Sequence, residues 1–290
     1  MVSEVAVILD GKAFAAEIRS EIKTTVDTLI ERFNVVPHLV VILIGEDPAS
    51  QSYVKGKESA CLKAGIKSSV IRMPITVTET ELLAKITELN ADRMVHGILL
   101  QLPIPKRFDP DKIIALIDKN KDVDGFTPEN VAALTNGRPR LVPCTPLGII
   151  KILKKYAIPI AGKHCVIVGR STIVGKPMAA LLLLENGTVT ICHTKTVNLP
   201  AITNQADILV VAVGQPKMIT GMHVKEGAVV IDVGISKIDG VISGDVDYES
   251  VYPKAAFITP VPGGVGPLTI ACLLENCLKC YQTLMEGNHD

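Results

Sequence analysis

Tyr53 and Lys57 stand four residues apart in a stretch that opens with Asp47-Pro48. Asp as N-cap followed by Pro in the first turn predicts a helix here. Residues at i and i+4 then share one helical face. A lysine held beside a phenol and partly removed from water can move protons. The competing reading is a plain solvated lysine, the commoner fate of that residue on a helix. Gln101 follows the apolar run GILL, and the segment KDVDG brings Asp122 and Asp124 ahead of Gly125. Polar groups just beyond buried parallel strands lie on the edge where sites form. For Asp122 and Asp124, simple turn formation before Gly125 is an equal alternative.

The second half carries a different chemistry. In CVIVGRSTIVGKP an apolar strand ends at Gly169 and a helix begins after Gly175. Backbone N–H groups at such a turn approach a pyrophosphate, and a helix N-terminus favours its negative charge. The spacing Gly169-x5-Gly175 departs from G-x-G-x-x-G, so an ordinary strand-turn-helix competes with a dinucleotide loop. The next strand runs into His193-Thr194-Lys195 with no carboxylate. An acidic residue there would hold ribose hydroxyls and repel a 2′-phosphate. Thr194, Lys195 and Arg170 would accept one, which favours NADP over NAD. Gly214-Gln215-Pro216 and Asp232-Val233-Gly234-Ile235 end further strands on the same predicted edge. The density of Pro and Gly from Pro260 to Pro267 specifies a rigid loop ahead of a helix, with Pro262 and Gly263 as candidates for substrate contact.

The elements that must position these residues alternate along the chain. Phe14, Ile18, Ile22, Val26, Leu29 and Phe33 form a helical stripe, and His38 to Ile44 is a buried strand. Strands at 69–73 and 95–100 alternate with helices at 79–89, opened by the capping box Thr78-Glu79-Thr80-Glu81, and at 109–117. A polar segment, 119–145, follows. Thr145-Pro146 predicts the cap and first turn of a linking helix. A second series has strands at 164–168, 189–192, 208–213, 228–233 and 257–259, a helix at 176–184, and a last helix from Pro267 to about Leu284. The expected class is α/β with two domains: an N-terminal α/β catalytic domain, 1–145, and a C-terminal Rossmann-like domain with a parallel sheet, 146–267. The helix 268–290 is expected to pack back on the first.

Composition narrows the functions. Lys+Arg and Asp+Glu are 30 each, so the net charge is zero and gives no case for nucleic acid or an anionic membrane. Trp is absent and aromatics are 3%, too few for a base-stacking platform. No apolar run approaches the roughly 18 residues of a membrane helix, and the N-terminus lacks a signal-peptide pattern, which points to the cytoplasm. The seven scattered cysteines read as reduced thiols; Cys277-x2-Cys280 is one pair within a helical pattern, and a metal or redox role for it is the lesser alternative.

Tyr-x3-Lys also marks short-chain dehydrogenases, but their glycine loop precedes the pair, and here only Asp10-Gly11-Lys12 does. Taken in order, SYVKGK, GILLQLPIP, KDVDGF, PCTPLG, VIVGRSTIVGKP, CHTKT, VGQP, DVGI and TPVPGGVGPLT span almost the whole chain. Together they resemble the methylenetetrahydrofolate dehydrogenase/methenyltetrahydrofolate cyclohydrolase family. The resemblance implies oxidation of 5,10-methylene-tetrahydrofolate with NADP, then hydrolysis of the methenyl product to 10-formyl-tetrahydrofolate. It makes Lys57 the proton-handling residue, with Gln101 hydrogen-bonded to it. Tyr53 packs on the folate, and Asp124 binds the polar edge of the pterin. Gly169, Arg170 and Ser171 match the cofactor loop, Thr194 takes a position that varies in the family, and Thr145, Gly214 and Ile235 match the cofactor cleft. No metal is implied, because the methenyl carbon is already electrophilic. A homodimer through the cofactor domains is implied. The whole reading requires an amine of the early half to reach the carbon that the nicotinamide touches.

Three other readings compete. A dehydrogenase without cyclohydrolase activity is disfavoured by intact Lys57 and Gln101. A non-catalytic NADP-binding module predicts loss of Tyr53, Lys57 or Asp124. A glutamate- or shikimate-type dehydrogenase would lack DVDG after LLQLP.

Overall fold

The computed structural model describes residues 5–238 and 240–287. In chain order the elements are β1 (Val7–Ile8), α1 (Gly11–Phe33), β2 (His38–Ile44), α2 (Pro48–Lys63), β3 (Lys67–Met73), α3 (Glu79–Ala91), β4 (Gly97–Leu100), α4 (Pro110–Ile114), α5 (Pro128–Thr135) and α6 (Cys144–Lys155). Then follow β5 (His164–Val168), α7 (Gly175–Leu184), β6 (Thr188–Cys192), α8 (Leu199–Thr203), β7 (Ile208–Val211), β8 (Val229–Asp232), β9 (Ser236–Ile238), β10 (Val241–Ser243), α9 (Tyr248–Val251), β11 (Phe257–Ile258) and α10 (Val265–Glu286). Contacts divide the chain into two compact units.

One unit comprises Ala16–Cys144 with Ile270–Asp290. Its sheet is parallel, in the order β3-β2-β4. All seven residues of β2 are buried, as a central strand covered on both faces requires. Val40, Ile42 and Ile44 pack with Leu82, Ile86 and Leu89 of α3 and with Ile113 and Ile117. Burying each such side chain contributes about 1.5–3 kcal/mol. Gly97 opens β4 because a Cβ there would come within 2.5 Å of Val123 Cγ1 and 3.3 Å of Cys277 Sγ.

The other unit comprises Met1–Ala15 with Thr145–Thr269. Its six strands are all parallel, in the order β1-β11-β8-β7-β5-β6. The chain runs from β5 out to β6 and returns to β7 on the other side of β5. The point where the direction reverses therefore lies between β5 and β7, where open parallel sheets bind ligands beyond their carboxyl ends. Its core is built from Val166, Val168, Leu209, Val211, Val230 and Ile258. β9 and β10 form a separate antiparallel hairpin.

Several expectations shift at element ends. The linking helix begins at Cys144, not after a Thr145 cap; the Thr145 hydroxyl pairs instead with the Thr269 hydroxyl at 2.9 Å. The last helix begins at Val265, two residues ahead of Pro267. The polar segment after Lys119 holds a helix, α5, with Thr127 as cap residue and Pro128 in its first turn. Among the described residues no helix is long and apolar enough to cross a membrane.

Candidate active site

The first group of candidates is assembled at the carboxyl edge of β2 and β4. Asp47 opens α2 by accepting the Ser50 N–H at 2.8 Å. One turn later α2 presents Tyr53, 47% exposed, and then the half-buried Lys57. Gln101 continues from β4, its N–H donating to Ile42 O at 2.9 Å. Its side-chain Nε2 donates to Leu102 O at 2.7 Å, which fixes the amide's orientation. Oε1 is thereby left to accept from Lys57 Nζ at 3.0 Å. The bond uses one N–H of the Lys57 amine and holds the nitrogen in place, and in the neutral amine it leaves the lone pair open to a proton. The peptide Leu102–Pro103 that follows is cis.

Asp124 stands within electrostatic reach of Lys57. Burial pushes its carboxyl up to about 6; the Lys57 charge opposes that rise and Asp122 adds to it. Asp122 plays another part. Its Oδ1 accepts the Gly125 N–H at 2.9 Å, and its Oδ2 accepts Thr127 N–H at 2.8 Å and Asn130 Nδ2 at 2.9 Å. It builds the turn that presents Asp124. Lys121 is also structural: its buried Nζ donates to the carbonyls of Leu89, Asn90 and Asp92, closing the C-terminal end of α3.

Sequence reasoning missed Asn276. This fully buried residue of α10 donates from Nδ2 to Val123 O at 2.9 Å and to Val142 O at 2.8 Å. It grips the peptide next to Asp124. The only signal was an amide in the mostly apolar stretch ACLLENCLKC.

The second group lies beyond the carboxyl ends of the six-stranded sheet. Gly169 ends β5 with φ +127°, and a Cβ there would meet Ala212 O at 2.2 Å. A Cβ on Gly175 would meet Gly169 O at 2.3 Å. The wide glycine spacing thus has a steric origin: one glycine lets β7 approach the turn, and the other lets α7 start against it. Ser171 Oγ accepts the N–H groups of Val174 at 3.2 Å and Gly175 at 3.3 Å, ordering the start of α7. Arg170, Thr194 and Lys195 are exposed. The β6 turn that carries Thr194 is closed by the His193 N–H donating to Thr196 Oγ1 at 2.8 Å. Gly214 has φ +65° and open space where a Cβ would stand, so its backbone is free for close approach by a ligand. Ile235 is exposed beyond β8, and Thr145 is partly exposed near the start of α6. Pro262, after a cis peptide, and Gly263, φ +107°, belong to this same unit and not to the unit of Lys57. Glycine backbone, a capped helix start and exposed cations make a fitting donor set for a phosphorylated dinucleotide.

All seven cysteines are buried, and none is in a disulfide. No group of three or more His, Cys, Asp or Glu side chains suited to a metal occurs among the described residues.

Comparison with known proteins gives consistent matches. The family model for the catalytic domain of tetrahydrofolate dehydrogenase/cyclohydrolase matches residues 9–124, and that for its NAD(P)-binding domain matches residues 143–285. The bifunctional protein FolD of Exiguobacterium sibiricum is 54% identical over 94% of this chain and 99% of its own. The crystal structure of the bifunctional methylenetetrahydrofolate dehydrogenase/cyclohydrolase of Campylobacter jejuni superposes with a TM-score of 0.94 at 49% identity, covering 96% of this chain and 99% of that one. The Trypanosoma brucei methylenetetrahydrofolate dehydrogenase-cyclohydrolase, solved with NADP and an inhibitor, gives 0.93 at 36% identity, with 99% of both chains covered.

Proposed function

The chain belongs to the tetrahydrofolate dehydrogenase/cyclohydrolase family, and from that premise we propose which of its residues carry each step. The enzyme oxidises 5,10-methylene-tetrahydrofolate to the 5,10-methenyl form with NADP, and then hydrolyses that product to 10-formyl-tetrahydrofolate. When bound, NADP supplies the hydride acceptor. Gly169, Arg170, Ser171, Thr194, Gly214, Ile235 and Thr145 hold it in this reading. The Ser171 cap and the open backbone at Gly214 support the placement.

Hydrolysis needs a water placed against the methenyl carbon and a group to take its proton as the new C–O bond forms. Lys57 has that role, and Gln101 holds its amine in position. Tyr53 offers an exposed ring for the folate, and Asp124 offers carboxylate oxygens to the N–H groups of the pterin. Pro262 and Gly263 contribute further substrate contacts. Positioning and proton transfer are all the chemistry asks, since the carbon is already cationic. The observation that carries this reading is the 3.0 Å bond from Lys57 Nζ to Gln101 Oε1 beside Asp124.

Lys57→Met tests it. Removing a positioned general base typically costs 10²–10⁴-fold, so decay of methenyl-tetrahydrofolate absorbance should slow by at least about 100-fold. Hydrolysis at the wild-type rate in that variant ends the assignment. The same assay on the unaltered enzyme distinguishes a dehydrogenase that lacks cyclohydrolase activity.

The assembly in this reading is a homodimer through the nucleotide-binding units. Apolar side chains on the β9–β10 hairpin, Val241 at 69% and Ile242 at 44% exposure, support it. The cytoplasm is the proposed compartment, in keeping with seven cysteines outside any disulfide.

A further inference from the structure

Two buried carboxylates lie beneath the cofactor loops, outside every role assigned above. Asp232 is 4% exposed and Asp245 is fully buried. Asp232 Oδ1 accepts the N–H groups of Gly234 at 2.9 Å and Asp245 at 3.0 Å, and its Oδ2 accepts that of Val246 at 2.9 Å. Asp245 Oδ2 accepts the N–H groups of Val213 at 2.7 Å and Gly214 at 2.9 Å. The Asp232 N–H in turn donates to Thr259 Oγ1 at 2.8 Å. Three chain segments, at 213–214, 234 and 245–246, are thus tied to one pair of side chains, and a fourth, at Thr259, to the backbone of Asp232.

The neighbouring glycines are shaped to this pair. A Cβ on Gly234 would stand 2.3 Å from Asp245 Cγ, and one on Gly244 would stand 1.9 Å from Asp232 Oδ2. Each carboxylate therefore sits against a glycine of the opposite loop. β7 ends at Val211 and β8 at Asp232, so regular strand pairing stops just short of Gly214 and Ile235. Charge-assisted bonds from backbone N–H groups take over the ordering where the ladder stops. Burial pushes the Asp232 carboxyl up to about 6, a cost that persists in a folded protein only with close compensation. Asp245 Oδ1 is buried with no hydrogen-bond partner, so this carboxylate is not placed for its own satisfaction alone.

We propose that Asp245, braced by Asp232, is a positioning residue for NADP. It sets the backbone of Val213–Gly214 and, through Asp232, that of Gly234–Ile235, without touching the cofactor. The proposal rests on the assignment of Gly214 and Ile235 to the cofactor made above.

The test uses the full-length enzyme with D245A, D245N and G234A. It reads the dissociation constant for NADP by calorimetry, the KM for methylene-tetrahydrofolate, and hydrolysis of methenyl-tetrahydrofolate without NADP. D245A should weaken NADP by about 10-fold or more, having lost two charge-assisted hydrogen bonds to one oxygen, and leave hydrolysis within about twofold. D245N should recover most of the loss, because one amide oxygen can accept both N–H groups. G234A keeps the charge but displaces it, and should resemble D245A. Wild-type NADP affinity in D245A and G234A overturns the proposal. So does a parallel loss of hydrolysis in both, which would make Asp245 a general stabiliser. R170A measured alongside separates the two levels. Unchanged NADP affinity in R170A sinks the cofactor assignment itself, whereas a weakened R170A with an unaffected D245A sinks only the role of Asp245.

Discussion

Asp124 is the residue whose charge state should be visible in the kinetics. Its carboxyl is pushed up to about 6, so it ionises within an accessible range. A carboxylate that accepts pterin N–H groups binds best when ionised. The KM for methylene-tetrahydrofolate should therefore rise as the pH falls through about 6, and Asp124→Asn should flatten that rise. A wild-type profile in the Asn variant would remove Asp124 from pterin recognition. For folding the sign is reversed. The folded value lies above the ordinary carboxyl value of about 4, so burial of Asp124 opposes folding at neutral pH, and that opposition fades as the pH falls from about 6 to about 4. Arg170 and Lys195 carry a separate expectation. Replacing both by Ala should weaken NADP more than NAD, by roughly 10-fold or more if both cations meet the 2′-phosphate. Equal losses for the two cofactors, measured by direct binding, would remove the case for phosphate recognition there.

At the scale of elements, the hold of α10 on the Asp124 loop is open to experiment. Asn276→Leu leaves Val142 O without its Asn276 donor and Val123 O with only the weak Cys144 thiol at 3.4 Å, at about 1–3 kcal/mol for a buried group that loses its partner. The midpoint of thermal unfolding should fall, and the KM for folate should rise while NADP affinity stays as it was. A variant with unaltered folate KM would show the grip to be irrelevant to binding. Asn276 also marks the limit of what the sequence reveals. Asp47 and Thr78 were legible as helix caps because a cap is a local event within three residues. The partners of Asn276 lie 153 and 134 positions away, and no local pattern encodes such a meeting. Asp245, 32 residues from Val213, is hidden for the same reason. β1 is two residues long and exposed on both, so it has no periodicity to read. Thr145 misled because a Thr-Pro pair signals a cap whether or not another hydroxyl competes for the side chain. Lys57 and Gln101 were legible as candidates from their strand and helix positions. The bond between them was implied by the family resemblance alone, since 44 positions separate the two residues and no local pattern encodes it.

For the molecule as a whole, the expected assembly is testable at the hairpin. Val241→Glu with Ile242→Lys places charges on its exposed apolar residues, and sedimentation should show a monomer for this variant against the dimer proposed for the parent enzyme. A double variant that still sediments as a dimer would move the interface elsewhere. The division of the chain has a consequence for its birth on the ribosome. Neither unit is one continuous stretch: 1–15 belongs with 145–269, and 16–144 belongs with 270–290. A nascent chain that has just cleared Cys144 therefore still lacks the helix that supplies Asn276 and Tyr281. Its loop at Val123 must wait, ungripped, for α10 to emerge. β1, made first, waits equally for β11, beside which it pairs at Phe257 and Ile258. Synthesis thus offers no early resting point, and neither unit is complete until residues beyond 257 have been made.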